Sequence, residues 1–89
     1  MLSLPSKPWK KVRISELGDR HFRITFVTEL ENEAQFREIL EEDIVASLGL
    51  QDRMGAADWP TRSVVITTPN LPALKRNLVY ASIMVESHE

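Results

Sequence analysis

The sequence predicts an α+β domain, a two-layer sandwich with one long helix on one face of a four-stranded mixed or antiparallel sheet. Three observations carry this expectation. Residues 10–26 alternate apolar and polar side chains around a Gly18-Asp19 turn signal, residues 31–48 repeat apolar positions at helical spacing, and Ser63 to Thr68 is a β-branched run. A hairpin followed by an amphipathic helix buries both apolar surfaces when the helix lies across the sheet.

The chain has 89 residues, enough for one core and no second. Hydrophobic residues make up 43% and charged residues 27%, a balance that suits a folded domain rather than a disordered one. Pro5 and Pro8 mark residues 1–9 as an extended arm, the domain is expected over 10–86, and 87–89 read as a fraying tail. There is no cysteine, which removes disulfides, thiolate metal sites and cysteine nucleophiles together. No apolar run approaches the roughly 20 residues that span a bilayer, and MLSLPSKPWKK lacks the apolar core of a secretory signal. No membrane association and a cytoplasmic location are therefore expected.

The first strand places Val12 and Ile14 on one face, and the second places Phe22, Ile24 and Phe26 there. Opposed residues of an antiparallel pair share a face, so a two-residue Gly18-Asp19 turn would set Ile14 against Arg23 and split the apolar rows. An odd-length loop restores them. Residues 17–19 as the loop oppose Ile14 to Phe22 and Arg13 to Arg23; residues 18–20 oppose Ile14 to Ile24 and Arg13 to Thr25, with Glu16 beside Phe22.

Glu31 to Leu48 follows as the helix, with Asn32 as cap, acids in its first turn and Gly49 as stop. LQDRMGAADWPT then reads as a loop, SVVITT as the third strand, and Leu71 to about Asn77 as a short helix capped by Asn70. The ending LVYASIMVE suits a strand with Val79, Ala81, Ile83 and Val85 on one face, although a helix apolar on all sides fits it too. This order is compatible with a β-grasp topology, of which ubiquitin is the familiar member; the likeness is one of element order and carries no function.

On a helical wheel Phe36, Leu40, Ile44 and Ser47 form the apolar stripe, and Asp43 falls inside it. Asp43 is then a cap at a kink, a partly buried acid paired to Arg or His, or a functional acid; no convergent partners in the sequence single out the last. Glu38, Glu41 and Glu42 face away from the stripe as a solvated acidic surface. His21 and His88 are too few for a metal site, no nucleophile or phosphate-loop motif is present, and neither an enzyme nor a cofactor is expected.

Charge is unevenly distributed. Residues 1–25 carry a net +4, residues 26–60 a net −7 and residues 61–89 a net +1, which together make the chain's −2. On the hairpin, the positions between the apolar ones are Lys11, Arg13, His21 and Arg23, four basic or titratable groups on one outward face. Trp59 sits in the loop, either folded onto the core or protruding as an interface hot spot.

These features point to a small non-enzymatic protein–protein interaction module of regulatory, adaptor or inhibitor type, using the basic hairpin and acidic helix as separate surfaces. The partner is another protein or a second copy of the chain. The alternative is nucleic acid held on phosphates by Lys11, Arg13, Arg23 and the arm lysines Lys7 and Lys10; only Trp9, at the margin, could stack a base. A third alternative is an enzyme using Asp43 or His21.

Overall fold

The computed structural model describes residues 9–88. Strands β1 (Lys10–Gly18) and β2 (His21–Phe26) form the hairpin, and a helical run follows in three pieces: α1 (Glu33–Ile39), a π-helical turn (Leu40–Ile44) and α2 (Val45–Ser47). A second hairpin joins β3 (Arg53–Asp58) to β4 (Ser63–Thr67), and α3 (Leu71–Tyr80) leads to β5 (Ile83–His88). The sheet is mixed and five-stranded, ordered β3-β4-β2-β1-β5, with β1 and β5 parallel and the other pairs antiparallel.

The α+β class holds, while several details differ from expectation. The segment read as a loop contains a fifth strand, β3. Every residue of β3 is exposed, so it lacks the apolar alternation that marks a half-buried strand. The helix after β4 runs to Tyr80 rather than about Asn77, which places Val79 on a helix and Ala81 in the turn, and leaves Ile83 and Val85 as the strand's core-facing pair. The parallel β1–β5 pair suits a β-grasp order, but the β3–β4 hairpin extends the sheet beyond β2 instead of beyond β5, so the observed order departs from it.

The hairpin has the register with Ile14 opposite Ile24, Arg13 opposite Thr25 and Glu16 beside Phe22. Its turn is a two-residue one, Asp19 and Arg20, both at positive φ as in a type I′ turn, and the odd residue is absorbed by a bulge between Glu16 and Gly18. Gly18 has φ 101°, where a side chain would be strained.

Both helices cover the same face of the sheet. Val12, Ile14, Phe22, Ile24, Phe26, Val64 and Ile66 meet Phe36, Ile39, Leu40, Ile44, Leu74 and Leu78 in one buried cluster. Helix meets helix where Asn77 Nδ2 donates to the Ser47 carbonyl at 3.0 Å, while Ser47 Oγ donates back along its own helical run to the Asp43 carbonyl at 2.7 Å. Asn32 caps α1 as expected, its Oδ1 accepting from Gln35 N at 2.8 Å. Asn32→Ala is therefore expected to cost about 1 kcal/mol in urea unfolding, with Asn32→Gly nearer to neutral; an unchanged stability in Asn32→Ala would show that the cap bond contributes nothing.

Candidate functional site

Register decides what the uncovered face of the sheet presents. The core residues of β1, β2 and β4 point to the helices, so their neighbours Lys11, Arg13, Ser15, His21, Arg23, Thr25, Ser63, Val65 and Thr67 point away. In the middle row Val65 lies beside Arg23, and Arg23 beside Ser15; in the next, Asp58, Ser63, Thr25 and Arg13 follow one another across four strands. The four predicted cationic positions are thus together on one exposed surface. Arg53, on β3 beside Thr67, joins them; sequence reasoning missed it because its segment carried no strand signal.

The cations differ in their surroundings. Arg13 Nε lies 3.7 Å from Glu86 Oε1, an exposed pair of small energetic weight. The register keeps Arg13 opposite Thr25 rather than Arg23, so no like-charge pair is directly opposed within the hairpin. Arg23 makes no ion pair among the described residues. His21 Nδ1 is 2.7 Å from the Asp19 carbonyl oxygen; because a carbonyl only accepts, that nitrogen carries the proton, leaving Nε2 as the ring's other polar atom. The loop after β2 holds the Lys11 backbone, whose N–H donates to Thr28 Oγ1 at 2.6 Å and whose carbonyl accepts from Val27 at 2.8 Å.

Towards β3 the same face dips into a groove lined by Arg23, Thr25, Ala56, Asp58, Ser63 and Val65. Thr61 Oγ1 donates to Asp58 Oδ2, and since its proton is used there, Ser63 Oγ donates to Thr61 Oγ1 at 2.9 Å. One end of the groove is therefore guanidinium donor and the other a hydroxyl chain ending on a carboxylate.

The acids Glu38, Glu41 and Glu42 are exposed on the helix layer, on the opposite side of the molecule from the cations. Arg37 engages Glu33 through Nε and Nη2 at 3.0 and 2.8 Å, so part of this acidic surface is already neutralised. Lys10 lines a groove with Gln35, Glu38, Glu42 and Asp43, and so belongs to the acidic side rather than to the basic patch; Lys7 lies outside the described residues.

Asp43 is 7% exposed and not without a partner, as its place in the apolar stripe implies. The capping expectation is corrected: Ile44 occupies the cap position of α2, and no side chain caps that segment. Asp43 and His21 lie on opposite sides of the sheet, and the groove that Asp43 lines with Lys10, Gln35, Glu38 and Glu42 does not include His21. Among the described residues no three His, Asp or Glu side chains are grouped to hold a metal ion.

Trp59 folds back onto the core, the first of the two placements its loop position allowed, and does not protrude. Its ring lies 5.6 Å from that of Phe36, and the Arg62 guanidinium stacks 4.7 Å above it, closing the core at the end of β3. Among the described residues no helix is long and apolar enough to cross a membrane. Family models, curated proteins and solved structures were compared with the chain, and none matches it.

Proposed function

We propose that this domain is a non-enzymatic protein–protein interaction module whose uncovered sheet face receives an acidic surface of another protein. The observation that supports it is the gathering of Lys11, Arg13, His21 and Arg23 on a face that no element among the described residues covers, with Arg23 unpaired among those residues too. The sheet holds the backbone of these residues at fixed spacing, so a partner's carboxylates meet donors whose spacing is set in advance and only the exposed side chains are left to order. Val65 and Leu17 add apolar area between and beside the charges.

Nucleic acid is the less supported polyanion. Phe22, Phe26, Phe36 and Trp59 are committed to the core, and of the described aromatic residues only Trp9, 48% exposed, stands near the basic face. Affinity purification from the native host with the wild type and with Arg13→Glu/Arg23→Glu tests the proposal. A protein retained by the first and lost by the second supports it; equal retention by both contradicts it. Fluorescence anisotropy with single-stranded DNA and RNA at low salt is expected to show no binding that depends on these two arginines, and such binding would favour the nucleic-acid reading instead.

A further inference from the structure

We infer that β3 is a self-pairing edge and that the chain forms a two-fold dimer through antiparallel β3–β3 contact, joining two sheets into one of ten strands. The inference does not rest on docking by Arg13 and Arg23; it concerns the open edge beyond β4 and shares only Arg53 with the basic face.

β3 is an edge strand with all six residues, Arg53 to Asp58, exposed, and its centre is Gly55-Ala56-Ala57, so no large side chain obstructs an approaching backbone. It contains neither lysine nor proline, the residues that commonly block edges. What it has is a bulge between Met54 and Ala57, where Gly55 and Ala56 together face Val65. A Cβ on Gly55 would stand 3.3 Å from the Val65 carbonyl oxygen, a tight approach that glycine avoids.

That bulge changes which side chains share a face. In a regular strand Arg53 and Asp58, five residues apart, would point to opposite faces. Here Arg53 pairs with Thr67 and Asp58 with Ser63, both on the uncovered face, while Met54 and Ala57 pair with the buried Ile66 and Val64. Read from either end, the order is outward, inward, two central residues, inward, outward. A two-fold axis between Gly55 and Ala56 therefore matches faces throughout, and the central pair contains a glycine with no side chain to clash.

The chemistry matches as well. The axis sets Arg53 beside Asp58 of the second copy, twice, and Met54 beside Ala57 of the second copy, twice, which is charge against charge and large against small. On the helix side, Arg37, Leu40, Glu41, Met54 and Ala57 line a groove at the open edge of β3, where Met54 of the second copy would lie. Leu50, 97% exposed in the turn before β3, falls alongside the second copy's turn after β3. A bulged strand mismatches a regular one, so the kink that discourages indiscriminate pairing is satisfied by its own image.

Sedimentation velocity of the full chain over a broad concentration range at low salt tests this. A species of twice the 10.2 kDa chain mass is expected to accumulate with concentration. Arg53→Glu and Asp58→Lys are each expected to remain monomeric, and an equimolar mixture of the two to dimerise again, because both mixed contacts then join opposite charges. If Asp58→Lys fails to fold through loss of the Thr61 bond, Arg53→Glu alone must still abolish the dimer. A wild type monomeric throughout, a dimer that survives both single variants, or folded variants whose mixture stays monomeric would overturn the proposal. Loss of the dimer in Arg13→Glu/Arg23→Glu with retention in Arg53→Glu would also overturn it, by placing self-association on the basic face.

Discussion

Replacing Phe36 with alanine is expected to lower the unfolding free energy by about 3 to 5 kcal/mol, the range for deleting a large aromatic from a packed core. A domain of this size has about 5 to 10 kcal/mol to lose, so the variant should be partly unfolded at 37 °C. Phe36 is fully buried, with its ring edge-on to Phe26 at 6.0 Å between centroids and tilted against Trp59 at 5.6 Å. Removing it takes contacts from the first hairpin and from the Trp59 turn together. Urea titration measures the stability, and Trp59 emission in a Trp9→Phe background reports the turn. A loss below about 1.5 kcal/mol with unchanged emission would mean that Trp59 is held by other contacts, Arg62 first among them.

The second large effect concerns binding. Arg13→Glu/Arg23→Glu replaces two donors on the uncovered face with two acceptors. Against an acidic partner each reversal removes an attraction and adds a repulsion, so affinity is expected to fall at least about tenfold, and more steeply at low salt. Both side chains are exposed, and only Arg13 takes part in an ion pair, the long contact to Glu86, so the cost to stability should stay within about 1 kcal/mol. Binding measured by calorimetry beside a thermal melt separates the two. Loss of binding with loss of fold would say nothing for the surface, which makes the melt part of the test.

The elements that were legible in the sequence are those whose burial is one-sided. β1 and β2 alternate because one face meets the helices, and the conflict between their apolar rows and a simple Gly18-Asp19 turn showed that one residue had to be absorbed; the expected odd-length loop is corrected, since the turn has two residues and the extra one lies in the bulge between Glu16 and Gly18. The stripe that placed Asp43 inward is also borne out by its burial. β3 was illegible because an edge strand exposed on every residue has nothing to alternate. The end of α3 was misread because Leu78, Val79 and Tyr80 are apolar whichever way they are folded; Tyr80, 80% exposed, is the sort of residue that periodicity alone assigns wrongly.

For the candidate site, the hairpin positions followed from alternation alone, so Lys11, Arg13, His21 and Arg23 were legible as neighbours. Arg53, Asp58 and the Thr61–Ser63 hydroxyls were not, since their approach depends on β3 pairing with β4 across a bulge. Lys10 was assigned to the wrong surface: it precedes Lys11 by one position, and in a strand one position is the difference between faces.

The central claim is that the uncovered sheet face is where a partner docks, and position-specific photo-crosslinking in the native host tests it most directly. A photoreactive residue replacing Ser15 or Thr25, between the cations, is expected to give a discrete protein adduct that disappears in the Arg13→Glu/Arg23→Glu background. The same residue at Glu38 or Glu42, on the helix side, is expected not to give that adduct. Adducts confined to the helix positions, or unchanged by the double reversal, would contradict the account.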